Sequence, residues 1–187
     1  MRIITGSARG TNLATLEGED ITRPTTGKVK EAIFSAIQFD IEGRRVLDLF
    51  AGCGQMGLEA LSRGAQSCVF VDSSDKAIAI VKQNAQKTKL YAQSVIMCGG
   101  YKEYIKGSAG KREFDIVFID PPYGKGLGAD ALKRLGDSGL LAKGAIVVCE
   151  DEKELTDFDE SVFEHKNTYN YGRVVVTMFI ARGKDDE

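Results

Sequence analysis

The sequence predicts an α/β fold in which helices cover both faces of a mostly parallel sheet. From residue 44 onward, short apolar runs alternate with segments of helical periodicity, which is typical of strand–helix–strand units. Most of these runs are apolar throughout, as expected for strands buried on both faces. The last two runs differ, because they meet around Asn170-Tyr171-Gly172 and so predict an antiparallel hairpin.

The elements follow in order along one predicted domain, residues 1–187. Residues 1–42 form an N-terminal extension in which the runs Arg2–Thr5 and Thr11–Leu16 predict a β-hairpin. A helix is predicted after Arg23-Pro24-Thr25-Thr26, with Thr25 or Thr26 as its N-cap. Residues 43–183 form the core. Its predicted strands are Arg45–Leu49, Ser67–Val71, Ser94–Cys98, Asp115–Ile119, Ala145–Cys149, Val162–Tyr169 and Val174–Ala181. Its predicted helices are Gly57–Arg63, Asp75–Lys87, Tyr101–Ile105 and Ala129–Gly136.

Composition and charge narrow the class of protein. Hydrophobic residues make up 43% and charged residues 28% of the chain, as in a soluble protein with a sizeable core. No apolar run is long enough for a membrane span and the N-terminus is no signal peptide, so a cytoplasmic location is expected. The four cysteines form no CxxC pair, so we expect neither a metal site nor a disulfide framework. Residues 150–187 carry a net charge of −6 and residues 1–149 one of +4, which allows a nucleic-acid surface on the larger part with the acidic part turned away.

A glycine-rich segment follows the first core strand. Gly52, Gly54 and Gly57 match the G-x-G-x-x-G spacing, and Asp72 ends the second strand, so a dinucleotide site fits formally. Asp48, however, lies at the end of the first strand, and an anion there disfavours a pyrophosphate. It favours a cationic ligand such as S-adenosylmethionine, with Asp72 accepting hydrogen bonds from the ribose hydroxyls. The segment therefore indicates a methyltransferase more than a dehydrogenase.

The fourth core strand ends in Asp120-Pro121-Pro122-Tyr123. Two prolines lack backbone N–H groups and stop the strand, which leaves a rigid loop with one carboxylate, carbonyl acceptors and one flat ring. Such a loop suits a planar group that carries an NH2. We expect the Asp120 carboxylate and the Pro121 carbonyl to accept the amine hydrogens and Tyr123 to stack on the ring.

Together these segments resemble the RsmD-type methyltransferases, which methylate the exocyclic N2 of one guanine in bacterial small-subunit (16S) ribosomal RNA. The resemblance spans nearly the whole chain. It is carried by Met1-Arg2-Ile3-Ile4, Arg9-Gly10, Arg23-Pro24-Thr25-Thr26, Val29-Lys30-Glu31-Ala32-Ile33-Phe34, Val46-Leu47-Asp48-Leu49-Phe50-Ala51-Gly52, Gly57-Leu58-Glu59-Ala60-Leu61-Ser62-Arg63-Gly64-Ala65 and Asp120-Pro121-Pro122-Tyr123. The chain departs from the family pattern at Gly100, where an acid normally helps to hold the adenine amino group.

The resemblance implies a Rossmann-like class I methyltransferase fold, with seven strands in the order 3-2-1-4-5-7-6, strand seven antiparallel, and an N-terminal β-hairpin and helix. It implies S-adenosyl-L-methionine as cofactor and 16S rRNA, in a 30S subunit or an assembly intermediate, as partner, with no metal and no membrane. Catalysis is expected from Asp120, Pro121 and Tyr123. Cofactor contacts are expected from Asp48, Phe50, Ala51, Gly52, Gly54, Asp72, Ser73, Gly99 and Gly100. RNA contacts are expected from Arg2, Arg9, Arg23, Thr25, Thr26 and Lys125.

Three alternatives stay open at this point. Asp-Pro-Pro-Tyr also occurs in adenine-N6 and cytosine-N4 DNA methyltransferases, although 187 residues leave no room for a separate DNA-recognition domain. The glycine spacing still permits a nicotinamide-dependent oxidoreductase. The residue at position 100 and the acidic C-terminal part permit a non-catalytic RNA-binding module on a methyltransferase scaffold.

Overall fold

The computed structural model describes residues 1–16 and 26–183, and within them seven strands form one sheet. The strands are β1 (Arg45–Asp48), β2 (Ser67–Asp72), β3 (Ser94–Cys98), β4 (Phe114–Ile119), β5 (Leu141–Asp151), β6 (Phe163–Tyr171) and β7 (Val174–Ala181). Their order in the sheet is β3-β2-β1-β4-β5-β7-β6. All paired neighbours from β3 to β5 are parallel, whereas β7 runs antiparallel to β5 and β6. The predicted fold class and strand order are therefore confirmed.

Helices cover both faces of this sheet, and each face has its own apolar core. The helices are α1 (Thr26–Ala36), α2 (Gln55–Ser62), α3 (Asp75–Lys87), α4 (Tyr101–Ser108) and α5 (Leu127–Ser138). Side chains of α1, α2 and α3 share one core cluster with the sheet, and this side is called the α1 face below. Side chains of α4 and α5 share the second cluster, on the α5 face. Two buried faces explain why the central strands are apolar throughout.

The N-terminal β-hairpin is present but shorter than predicted: Arg2 and Asn12 form an antiparallel bridge, and the backbone N–H groups of Ile3 and Leu13 donate to the carbonyls of Thr11 and Met1. The backbone N–H groups of Ile4 and Thr5 are used elsewhere. They donate to the Glu59 carboxylate, at 2.8 Å and 3.0 Å. A strand that gives its donors to a side chain cannot continue a ladder, so the hairpin stays short and the segment docks on α2.

Glu59 is the centre of this docking. Its side chain is fully buried, and it also accepts from Lys30 Nζ at 2.9 Å and Arg63 Nε at 2.8 Å. Burial raises the pKa of Glu59, but the Lys30 charge and the Ile4 N–H more than offset this, so the net pKa lies below the ordinary value. The buried carboxylate thus joins the N-terminal segment, α1 and α2 into one unit.

Neither a membrane-spanning helix nor a metal cluster occurs in the part of the chain that the structure describes. Every described helix is too short or too polar to cross a bilayer. Likewise, no three His, Cys, Asp or Glu side chains of residues 1–16 and 26–183 gather so that they could hold a metal ion.

Candidate active site

The carboxyl ends of β1, β2 and β4 meet at one edge of the sheet and surround a cavity of about 390 Å³. This volume lies within the range of small-molecule sites, ~300–1,000 Å³. We call it the edge cavity. Its lining residues are Met1, Asp48, Leu49, Phe50, Ala51, Gly52, Cys53, Gln55, Met56, Asp72, Ser73, Asp120 and Pro122.

Three carboxylates point into the edge cavity from three neighbouring strands. Asp48 and Asp72 are the last residues of β1 and β2, and Asp120 follows β4 directly. Side chains alternate between the faces of a strand, and each of the three lies two residues after a side chain of the α1-face core. Those core residues are Val46, Phe70 and Phe118. The three acids therefore line up on the α1 face at the carboxyl edge.

Asp48 is buried, with 2% of its surface exposed, and its Oδ2 accepts a hydrogen bond from the Gly57 N–H at 3.0 Å. Burial raises the pKa of Asp48 to about 7; the Gly57 N–H lowers it, and the charges of Asp120 and Asp72 raise it further. This carboxylate is held in the first turn of α2, where it occupies a free helix donor. A pyrophosphate at the same helix start would meet an anion instead of a bare N–H, so the dinucleotide alternative loses its main contact.

Asp72 closes the glycine loop against the end of β2. Its Oδ2 accepts from Gly52 N at 2.9 Å and its Oδ1 from Ser74 N at 2.8 Å. Gly52 has φ +53°, which favours glycine, and a side chain there would face open space. The two Asp72 oxygens keep further lone pairs for a ligand, since a carboxylate has about four acceptor sites.

Phe50, which also lines the cavity, rests on a polar network that sequence reasoning missed. Its ring centre lies 5.0 Å from that of Tyr101, the first residue of α4. The Tyr101 hydroxyl donates to Asp130 Oδ2 at 2.6 Å, and Arg134 Nε donates to the same oxygen at 2.8 Å. Burial and the Asp130 contact raise the pKa of Tyr101 to about 12. The network fixes Tyr101 and thereby one wall of the cavity.

The Asp120-Pro121-Pro122-Tyr123 loop divides its side chains between the cavity and the core. Asp120 and Pro122 line the cavity, whereas the ring of Pro121 is buried. Tyr123 is half-buried and packs against the α1-face core. Lys125 follows on the exposed part of the loop.

Seven of the predicted cofactor and catalytic residues come together in the edge cavity: Asp48, Phe50, Ala51, Gly52, Asp72, Ser73 and Asp120. Gly54, Gly99, Gly100, Pro121 and Tyr123 do not line it. Gly54 precedes α2 with φ +80°, and Gly100 precedes α4. The Gly99 N–H donates to the Asp72 carbonyl at 2.9 Å, which places this turn beside the cavity wall.

Of the predicted RNA-binding residues, Arg2, Arg9 and Lys125 have side chains that the structure describes, and none of these three lines the cavity. Arg2 and Arg9 are exposed on the N-terminal segment. Thr26 is the first residue of α1. Arg23 and Thr25 lie outside the described residues.

Six lining residues were not predicted: Met1, Leu49, Cys53, Gln55, Met56 and Pro122. Five of them lie in or beside the glycine loop or the Asp120–Tyr123 loop, so their place in these loops was the signal that could have predicted them. Met1 had no such signal, because only the docking of the N-terminal segment brings it to the cavity, with its Sδ 3.8 Å from Cys53 Sγ. Gln55 Oε1 is buried without a hydrogen-bond partner among the described residues.

Comparisons with known proteins show which family this chain is similar to. Residues 1–180 match the model of a family described as conserved hypothetical protein 95. The chain is 37% identical to the YlbH protein of Bacillus subtilis (strain 168), over 98% of this chain and 100% of the relative. It is 34% identical to ribosomal RNA small subunit methyltransferase D of Haemophilus influenzae, over 82% of this chain and 80% of the relative.

A solved structure shows the same architecture. The yhhF protein of Escherichia coli superimposes with a TM-score of 0.88 at 28% identity, over 98% of this chain and 99% of that chain. The family model covers nearly the whole chain, and the resemblance predicted from the motifs is confirmed. The chain belongs to the conserved hypothetical protein 95 family and is an RsmD-type methyltransferase.

Proposed function

We propose that this protein transfers a methyl group from S-adenosylmethionine to the exocyclic N2 amine of a guanine in small-subunit ribosomal RNA. The observation that carries the proposal is the meeting of two loops in the edge cavity. The glycine loop lies between Asp48 and Asp72 at the ends of β1 and β2, and the Asp120–Tyr123 loop brings a carboxylate next to a proline pair. The relative from Haemophilus influenzae is named as a small-subunit ribosomal RNA methyltransferase, which supports methylation of that RNA here.

The charge of the cavity and the open backbone at Gly52 support this cofactor. S-adenosylmethionine carries a sulfonium and an ammonium, and the cavity is lined by three acids. Asp72 would accept from ribose hydroxyls, and the open side of Gly52 would leave room for a close approach to the backbone. When bound, the cofactor supplies an electrophilic methyl group and leaves as a neutral thioether.

Asp120 and its loop would prepare the methyl acceptor. An exocyclic amine is a weak nucleophile because its lone pair is delocalised into the base. The Asp120 carboxylate and the Pro121 carbonyl would accept its two hydrogens, hold it in place and draw the lone pair out of conjugation. Tyr123 would lie against the face of the base. Catalysis would then come mainly from positioning, and the proton lost from nitrogen would pass to Asp120 or to water.

The RNA-binding role belongs to the basic part of the chain in this proposal. Residues 1–42 would act as an RNA-binding extension of the core at residues 43–183, with Arg2, Arg9 and Arg23 as phosphate contacts. Lys125 would contact a phosphate beside the target base, and Thr25 and Thr26 would face the RNA. The target base must be unpaired or flipped for its amine to reach Asp120. The substrate would be 16S rRNA in a 30S subunit or an assembly intermediate.

The test is tritium transfer from labelled cofactor to 16S RNA and to 30S particles from cells that lack the enzyme, followed by nucleoside analysis. Wild-type protein is expected to yield N2-methylguanosine. Asp120→Ala is expected to abolish transfer while calorimetry shows nearly unchanged binding of S-adenosylhomocysteine. Asp137→Ala, an exposed aspartate on α5, is the matched control and is expected to keep full activity.

Each result separates the alternatives. Methylated adenine or cytosine as the product would contradict the guanine-N2 proposal but keep the loop as an amine receptor. Near-wild-type turnover by Asp120→Ala would contradict the role of Asp120. Absence of methyl transfer from wild-type protein would favour a non-catalytic RNA-binding module.

A further inference from the structure

The hairpin of β6 and β7 lies at the same edge of the sheet as the edge cavity. The end of β4 pairs with β5 at Ile119↔Cys149, and β5 pairs antiparallel with β7 at Asp151↔Val175. The strand end at Tyr171 in turn pairs with Val174. The Gly172–Arg173 turn therefore lies at the carboxyl edge of the sheet, the same edge that carries the Asp120–Tyr123 loop.

Two tyrosines of this hairpin lie on the same face of the sheet as Tyr123 of the Asp120–Tyr123 loop. Tyr169 and Tyr171 pair with Val176 and Val174, which belong to the α1-face core, and both tyrosines pack against that core. Tyr123 packs against the same core. Three strand spacings separate β6 from β4, which is about 14 Å. The carboxyl edge thus continues from Tyr123 to two more aromatic rings on one face.

The two rings are nearly parallel and partly exposed. Their centres are 6.5 Å apart and their planes differ by 21°. The Tyr169 hydroxyl accepts from Asn167 Nδ2 at 2.9 Å, which holds the Tyr169 ring in place. Burial and its neighbour Tyr169 raise the pKa of Tyr171, so its phenol stays neutral.

Charges around the rings are mixed and not uniformly acidic. Arg173 is exposed in the turn that follows Tyr171. Asp151 lies on the α5 face, where its carboxylate is near Gly128 of α5. Glu150, half-buried between the rings and Asp120, is the acid of this segment on the α1 face of β5. The acidic composition of residues 150–187 therefore does not describe the tip of the hairpin.

We propose that Tyr169 and Tyr171 form a stacking platform for unpaired nucleotides that flank the target base, with Arg173 at a neighbouring phosphate. The proposal rests on the proposed function, because it takes the occupant of the Asp120 loop to be a base in an RNA strand. A base that reaches Asp120 is unpaired, so its chain neighbours are exposed on their faces. Aromatic rings bind such faces without sequence preference. The platform would extend the RNA-binding surface into residues 150–187, although the net negative charge of this part predicts that it is turned away from RNA.

The experiment measures binding of a fluorescent unpaired oligoribonucleotide by anisotropy, without methyl transfer. The double variant Tyr169→Leu/Tyr171→Leu keeps apolar bulk against the core and removes both rings. It is expected to raise the Kd at least about fivefold for each ring lost. Tyr169→Phe/Tyr171→Phe is expected to bind like the wild type. Tyr91→Leu, a change of an exposed tyrosine just before β3 and so at the opposite edge, is the matched control and is expected to have no effect.

Two further readouts keep the outcome clear. Calorimetric binding of S-adenosylhomocysteine checks that the Leu pair is folded. Photocrosslinking of the wild type to RNA that contains 5-iodouridine is expected to label Tyr169 or Tyr171, and it needs no variant. An unchanged Kd in the Leu pair, together with crosslinks confined to other residues, overturns the platform. RNA binding through these rings without methyl transfer contradicts the proposed function and leaves the platform standing.

Discussion

The Asp48 carboxylate is held 3.0 Å from the backbone N–H of Gly57, and it joins the end of β1 to the first turn of α2. The contact serves the fold by occupying a helix donor. It also places a buried acid at the wall of the edge cavity, where burial raises its pKa to about 7. In the cofactor-free protein, ionisation of Asp48 therefore lowers the free energy of unfolding.

Asp48→Asn is expected to stabilise the cofactor-free protein at pH 8, because the amide oxygen still accepts from Gly57 and no charge is buried. A carboxyl whose pKa is raised on folding contributes stability at low pH and loses it as pH rises through the folded pKa. The wild type should therefore lose stability relative to Asp48→Asn between about pH 4 and pH 7, by at most ~4 kcal/mol. Urea denaturation of both proteins across this range measures the difference.

The same change is expected to weaken cofactor binding, since a charged acceptor is lost. Calorimetry with S-adenosylhomocysteine should show affinity reduced about tenfold or more. A gain in stability with a loss in affinity is typical of a residue kept for binding. If the difference in free energy of unfolding between the wild type and Asp48→Asn did not change with pH, the raised pKa of Asp48 would be contradicted.

Gly57 itself permits a close approach of α2 to β2. A Cβ at this position would lie 2.6 Å from Cys68 Sγ and in collision with the Phe70 ring. Gly57→Ala is therefore expected to lower the free energy of unfolding by ~1–3 kcal/mol, although alanine is the better helix former. Gly107→Ala is the control in α4, where a Cβ would meet nothing within 4 Å, and it should be neutral or stabilising. Equal stability of the two variants in urea denaturation would show that α2 moves freely away from the sheet.

The strands and the cavity loops could be predicted from local patterns, whereas the order of the strands in the sheet was implied by the family resemblance. Apolar runs mark the strands, and Asp48, Asp72 and Asp120 end them at one edge. The docking of the N-terminal segment on α2 could not be predicted, since the N–H groups of Ile4 and Thr5 donate to Glu59, more than fifty positions away. Met1 and Tyr101 reach the site only through such tertiary contacts. Local propensity predicts a hairpin at residues 1–16, and the buried carboxylate on α2 limits it to the pairing around Arg2 and Asn12.

The Glu59 network is expected to be a large source of stability for the N-terminal segment. Glu59→Gln removes the charge that compensates Lys30, whose side chain is 3% exposed. Breaking one partner of a buried pair typically costs ~3–5 kcal/mol, which urea denaturation at pH 7 can measure. The double variant Lys30→Met/Glu59→Gln should recover part of this loss, because it no longer buries a lone ammonium. If the loss in the double variant equalled the sum of the losses in Lys30→Met and Glu59→Gln, the two residues would not be coupled.

Asn84 joins the N-terminal segment to the wall of the edge cavity. Its fully buried amide accepts from Ala14 N at 2.8 Å and donates to the carbonyls of Ala14 and Cys53, each at 2.9 Å. Asn84→Asp keeps the acceptor but sets a carboxylate against two carbonyl oxygens. We expect it to lower the free energy of unfolding by ~2–4 kcal/mol at pH 8.

The loss from Asn84→Asp should be smaller at pH 5, because protonation restores one donor and removes the buried charge. Affinity for S-adenosylhomocysteine should fall at pH 8, since the Cys53 carbonyl belongs to the cavity loop. Asn12→Asp makes the same chemical change at an exposed position of the N-terminal segment and should alter neither quantity. Urea denaturation at both pH values and calorimetry at pH 8 test the expectation. A loss that is independent of pH would mean that the substituted side chain has turned to solvent, and that Asn84 acts on the loop only through packing.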